Sequence, residues 1–148
     1  MRKFNVYATI LMSGMIVPHL IAADCSNADL RGAYSFEASG TYGGVPFAAA
    51  GQTIYNGDGT AEGVIQASVG GAVFPVANWT ATYSLSPMSI GGGQTVCVLK
   101  KEMTIPSYKE LQLTFFGSAG ADFKELRFIA SKSNQASSLT VSGTARKQ

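Results

Sequence analysis

The stretch from Asn78 to Leu85, NWTATYSL, alternates strictly, with Trp79, Ala81, Tyr83 and Leu85 on one phase and Asn78, Thr80, Thr82 and Ser84 on the other. Successive side chains of a strand point to opposite faces, so this period of two marks a strand with one buried side. The run that holds it spans 73–86. Seven more runs of the same period lie at 32–41, 45–55, 60–69, 95–105, 109–118, 122–132 and 137–146, separated by glycine, asparagine or proline. No amphipathic helix interrupts them. SNADLRG, ahead of the first run, predicts a single helical turn capped by Ser26 or Asn27.

The connections are short, and parallel neighbours need crossovers of about a dozen residues or more. The runs are therefore read as antiparallel neighbours in sequence order. Closing such a meander removes its exposed edges. The expected fold is all-β: an eight-stranded antiparallel up-and-down β-barrel, with a β-sandwich as the alternative.

The amino-terminal residues MRKFNVYATILMSGMIVPHLIAADC carry Arg2 and Lys3 before an apolar run that ends in Ala22 and Ala23. This is the pattern of a secretory signal peptide, residues 1–23, leaving 24–148 as a single β-barrel domain. The run is broken by Thr9, Ser13, Gly14, Pro18 and His19, so a membrane anchor is not expected. Asp24 before Cys25 also argues against lipid attachment. A secreted or periplasmic protein follows.

Of eleven bases and nine acids, Arg2 and Lys3 leave with the signal peptide, so the mature chain is formally neutral. No basic patch interleaved with aromatics points to nucleic acid. Cys25 and Cys97 are the only cysteines, and in an exported chain they pair most simply as one disulfide. The sole histidine, His19, is also lost on cleavage. Histidine-dependent triads and histidine metal sites are thereby excluded from the mature protein.

Phase assigns the inward faces. Tyr34 and Phe36, Phe47 with Ala49 and Gly51, Trp79 with Tyr83, Phe115, and Phe128 all fall on the apolar side. Aromatics on some strands oppose alanine and glycine on others, as either a filled barrel or one with a modest cavity would need. Glu37, Glu62 and Glu102 fall on the other phase, so no carboxylate pair is assigned and no catalytic residue is named.

One run breaks the pattern. In TVCVLKKEMTI, Lys101 shares the phase of Cys97, Leu99, Met103 and Ile105. Burying an unpaired ammonium is costly, so the preferred reading is a β-bulge at Lys100-Lys101 that swings both amines outward.

The glycine-rich segments read as bends. YNGDGTAEG, residues 55–63, cannot supply the carboxylates that an EF-hand requires at its first and twelfth positions, and fits a hairpin turn instead. SIGGGQ, residues 89–94, lacks phosphate-loop spacing and reads as a strand connection. No metal and no cofactor are assigned.

CSNADLRGAYSFEASG, FAAAGQTIYNGDGTAEG and the closing VSGTARKQ resemble a group of short exported bacterial proteins of uncharacterised function. DLRGAYSF is similar to the entry turn and first strand of lipocalin-like and avidin-like calycins, with Tyr34 where those families usually carry tryptophan. The glycine-spaced hairpin looks like the barrel of allene oxide cyclases and dirigent proteins. These resemblances imply a small barrel and no particular activity.

The leading functional expectation is an exported barrel that binds a small apolar ligand inside. Tyr34, Phe36, Phe47, Trp79, Tyr83, Phe115 and Phe128 would line the site, with the tyrosine hydroxyls as orienting groups. A filled barrel acting through its surface on a protein partner is the alternative. An enzyme of cyclase or isomerase type, using Lys101 or a tyrosine, ranks third.

Overall fold

A computed structural model describes residues 24–148; the signal-peptide reading of 1–23 lies outside the described residues. The strands are β1 (Arg31–Tyr42), β2 (Val45–Asn56), β3 (Thr60–Val69), β4 (Ala72–Val73), β5 (Ala77–Ile90), β6 (Gln94–Ile105), β7 (Leu111–Ala119), β8 (Glu125–Ser133) and β9 (Leu139–Lys147). Every pairing is antiparallel. The order β2-β1-β9-β8-β7-β6-β5-β3 closes on itself through β2 and β3, and β4 adds a short pairing to the end of β3. This is the expected eight-stranded barrel, with a two-residue strand appended.

Two strand boundaries differ from expectation near proline. Pro75, which has no amide hydrogen to donate, separates Ala72–Val73 from β5, so the run expected at 73–86 becomes two pieces. At the other end β5 continues through Pro87 to Ile90. There β5 pairs with β6 alone, because β3 reaches only as far as Thr82, and a strand edge tolerates proline.

The inward phases hold on all eight barrel strands. Leu30, Tyr34, Thr53, Trp79, Leu99, Ile105 and Leu126 are completely enclosed. Strand register places large rings opposite strand glycines: Phe36 faces Gly51, Trp79 faces Gly63, and Phe128 lies between Gly117 and Gly143. A Cβ on Gly51 would lie 2.8 Å from the Phe36 ring, one on Gly63 2.6 Å from the indole of Trp79, and one on Gly143 2.6 Å from the ring of Phe128. These glycines are therefore steric requirements of the interior, where the ring occupies the space a side chain would take.

The two ends differ. At one, the segment before β1 folds under the barrel as a 3₁₀ turn, Asn27–Asp29, preceded by Ser26 as its cap. The Ser26 amide donates to the Asp29 carboxylate at 2.8 Å, and Cys25 is joined to Cys97 with their Cα atoms 6.1 Å apart. At the other end, the β3–β5 and β6–β7 connections and the 133–139 loop surround a mouth.

Candidate functional site

The floor of the site is set by β6. Lys100 and Lys101 pair in unbroken register with Ser84 and Tyr83 on β5 and with Phe116 and Phe115 on β7, so no bulge exists there. The expectation that both lysines turn outward is corrected: Lys100 points out, while Lys101 is buried inside the barrel at 8% exposure. The irregularity lies one strand interface away. The register shifts between Thr114 and Phe115, skipping Ser131, whose hydroxyl donates to the Thr114 carbonyl at 3.2 Å. Two continuous ladders give β6 no freedom to rotate its side chains, so phase prevails over the cost of burying the amine.

The Lys101 ammonium group lies 4.2 Å from the centroid of the Trp79 ring, 5.4 Å from that of Tyr55 and 6.0 Å from that of Phe115. Aromatic faces attract a cation and offset part of its desolvation. No carboxylate joins them, since the ion pairs among the described residues involve other side chains. Burial pulls the Lys101 pKa down to about 7, so near neutrality the amine is divided between its charged and neutral forms.

Above this floor is a narrow internal pocket of about 40 Å³, walled by Phe36, Phe47, Phe115 and Phe128 and reaching down to Thr53, Tyr55 and Lys101. A wider cavity of about 270 Å³ adjoins it at the mouth, sharing Tyr42, Phe47, Ile65 and Leu113 with the pocket. Together they fall near the lower end of the roughly 300–1,000 Å³ usual for ligand pockets.

The mouth is edged by Phe74 and Tyr108, whose rings are 5.3 Å apart, with the Tyr108 hydroxyl donating to the Pro75 carbonyl at 2.6 Å. Lys109 and Glu110 both adopt positive φ, at 57° and 55°, which is uncommon for side chains of this kind. The neighbouring loop holds them: the Asn134 amide donates to the Glu110 carbonyl at 2.9 Å, and that of Gln135 to the Lys109 carbonyl at 2.7 Å. The Tyr42 hydroxyl meets the Ser133 hydroxyl at 3.2 Å on the same side.

The seven aromatics named from the sequence divide between wall and foundation. Phe36, Phe47, Phe115 and Phe128 line the internal pocket. Trp79 supports Lys101, and its buried indole N–H has no hydrogen-bond partner. Tyr34 and Tyr83 belong to the closed end, where their hydroxyls are already engaged. Tyr34 donates to the Phe123 carbonyl at 2.6 Å. The Tyr83 hydroxyl lies 2.9 Å and 3.0 Å from the carbonyls of Asn27 and Leu30, and accepts from the Gly57 amide at 3.1 Å. Burial raises the pKa of both tyrosines, so they stay neutral.

Tyr55, which links the two groups, was missed in the sequence. It sits edge-on between Tyr34 and Tyr83, at centroid distances of 5.3 and 5.0 Å, and burial drives its pKa upward. Its signal was present: carrying the Phe47, Ala49, Gly51 phase four residues further reaches Thr53 and Tyr55. Tyr42 likewise continues the phase of Tyr34 and Phe36. Phe74 and Tyr108 lie in connections, where alternation carries no information.

YNGDGTAEG forms the expected β2–β3 hairpin. The Asp58 carboxylate accepts from the Thr60 amide at 2.8 Å and the Thr60 hydroxyl at 2.6 Å, contacts that hold its pKa below the ordinary range. This aspartate organises its own turn. Gly57 and Gly59, with φ of 83° and 94°, provide the reversal.

The barrel is small and antiparallel, with a mainly apolar interior and an outer wall that bears Gln52, Asn78, Thr80, Thr82, Lys100 and Glu102 together with exposed apolar side chains such as Ile54, Phe116 and Ile129. No helix among the described residues is long and apolar enough to cross a membrane. Two solved structures share the fold. One is a redesigned beta barrel, mFAP1, bound to DFHBI, at TM-score 0.51 and 12% identity, covering 82% of this chain and 97% of its own. The other is EF1p2_mFAP2b bound to DFHBI, at TM-score 0.51 and 13% identity, covering 81% and 94%. No protein-family model matches the chain, and no curated protein matches it.

Proposed function

We propose that the protein is an exported barrel that binds a small, mainly apolar molecule in the upper half of its interior, admitted through the mouth edged by Phe74 and Tyr108. The observation that carries this reading is the apolar pocket above Lys101, adjoining a wider cavity at one end while the other end is sealed. Phe36, Phe47, Phe115 and Phe128 form the walls of the proposed site. Trp79, Tyr34 and Tyr83 act beneath it as support.

The disulfide fits a non-reducing compartment, and with the signal-peptide pattern supports a secreted or periplasmic location. The two neighbouring structures were solved with DFHBI bound, in keeping with ligand binding by barrels of this architecture.

Trp79 provides the test, because its ring lies against the amine at the pocket floor. Titration with a panel of lipids, terpenoids and aromatic metabolites is expected to find one that changes its emission saturably and raises the melting temperature. Unchanged emission and melting across the panel would remove the proposal.

A second reading is favoured by a different observation. Phe116 and Ile129 form a cross-strand pair on the outside of the barrel and remain 43% and 56% exposed. A barrel working through this outer wall would bind a protein and leave the interior empty of ligand. Crosslinking at Phe116 in envelope extracts, with capture lost in Phe116→Ser, is its expected signature.

A further inference from the structure

Among the described residues Lys101 is the charged side chain in the buried set, which it shares with Thr53 and the buried tyrosines. An ordinary buried lysine either runs its amine out to solvent or meets a carboxylate. Lys101 does neither. Its amine lies over the Trp79 ring, and Glu37, Glu62 and Glu102 all sit on the outer wall. The hydroxyls of Thr53 and Tyr55 belong to residues bordering the same pocket, and the Trp79 indole N–H lacks an acceptor. The floor thus presents an amine beside two hydroxyl-bearing residues, with no anion of the protein to answer the charge that the amine carries when protonated.

We infer that this floor is the seat for the carboxylate of a slim, unbranched apolar acid whose tail runs up the barrel to the mouth. The inference deepens the ligand-binding reading and rests on it. A single carboxylate balances a single ammonium, and desolvated charge-assisted hydrogen bonds are the strong ones. The internal pocket of about 40 Å³ admits a head of carboxylate size, whereas a branched or ring-bearing head is too bulky for it. From Lys101 to Ile105, at the mouth end of β6, four residues of strand span ~13 Å, which sets the length of tail the barrel encloses.

The amine must be charged to hold the acid. Tyr83, opposite Lys101 on β5, and Tyr55, which meets it from β2 across the barrel, are the titratable side chains that face the amine, and both are held above their usual range, so they remain neutral while Lys101 titrates. Free protein loses the Lys101 proton near pH 7, and a bound carboxylate would retain it. Affinity for the acid should therefore fall as pH rises above neutrality.

The experiment compares decanoic acid with methyl decanoate by calorimetry, on the wild type and on Lys101→Met, with melting curves to verify that the variant is folded. The expected result is one-to-one binding of the acid roughly tenfold or more tighter than the ester, the size of a charge-assisted contact. In Lys101→Met the preference for acid over ester should vanish, and in the wild type raising the pH from 7 to 9 should weaken the acid alone. Equal affinities in the wild type, undiminished acid binding in the variant, or uptake of several acid molecules without saturation would overturn the carboxylate seat, while ester binding left the cavity reading standing. Binding of neither compound would overturn the seat and count against the cavity as well.

Discussion

The two ends of the barrel are built from the same alternating strands and closed by different means. At the amino-terminal end, a covalent bond, a 3₁₀ turn and the Tyr83 hydroxyl tie the segment before β1 into the sheet, while the Tyr34 hydroxyl holds the β7–β8 connection through Phe123. At the mouth there is no cross-link: the loops are joined by ring pairs, by the Tyr42–Ser133 hydroxyl contact, by backbone bonds such as Gly43 to Ser138, and by side-chain amides reaching loop carbonyls. Enclosed polar contacts and cross-links resist opening, whereas exposed hydrogen bonds to loop backbone exchange readily with water. The difference gives the molecule a fixed base and a yielding rim, the arrangement a barrel needs if something is to enter from one side.

Removing the covalent tie should break this contrast most severely. Replacing Cys25 and Cys97 by serine opens a 72-residue loop, and chain entropy predicts a loss of about 4 kcal/mol in denaturant unfolding. Hydrogen exchange should then become fast at residues 25–31, making the base resemble the mouth. Retention of slow exchange there would show that the tyrosine contacts suffice.

Lys101→Met tests the floor between the ends. In the unfolded chain the amine titrates near 10.5, and in the barrel near 7, so between these values the unfolded chain holds an additional proton. Stability of the wild type should therefore rise with pH across that window, and below it the full cost of the buried charge is present. The methionine variant should be more stable by about 5 kcal/mol at pH 6, with the gap closing toward pH 10. A pH-independent gap would mean that the amine is solvated.

Tyr83→Phe removes the hydroxyl that meets Asn27, Leu30 and Gly57. Leaving those enclosed groups without their partner should cost about 2 kcal/mol in thermal or denaturant unfolding, with the mouth unaffected. Tyr108→Phe is the counterpart at the rim. Its single exposed bond to Pro75 predicts a loss below about 1 kcal/mol globally, together with faster exchange confined to residues 72–76 and 106–110. Equal effects of the two phenylalanine variants would erase the distinction between base and rim.

Much of the barrel was readable because strand alternation is a local property. Trp79, Ala81, Tyr83 and Leu85 announce their face without reference to any other strand, and SNADLRG, with Ser26 or Asn27 as its cap, announces the turn beneath β1. Register was less accessible. That Phe36 would meet Gly51, and Phe128 both Gly117 and Gly143, depends on which residues oppose each other across two ladders, although the mixture of sizes hinted at it. Lys101 shows the limit most clearly. Its phase pointed inward and its chemistry outward; the bulge that would have reconciled them lies instead at Ser131.

By itself, then, the sequence determined the period, the number of barrel strands, the inward aromatics and the pairing of Cys25 with Cys97, because alternation, short connections and an isolated cysteine pair each admit few solutions. Only the tertiary structure decided that the interior is filled at one end and hollow at the other, that Tyr34 and Tyr83 serve the base, and that an unpaired amine lies between them and the mouth. The physical reason is that packing, desolvation and hydrogen-bond satisfaction depend on contacts between residues far apart in the chain, which strand phase alone leaves unspecified.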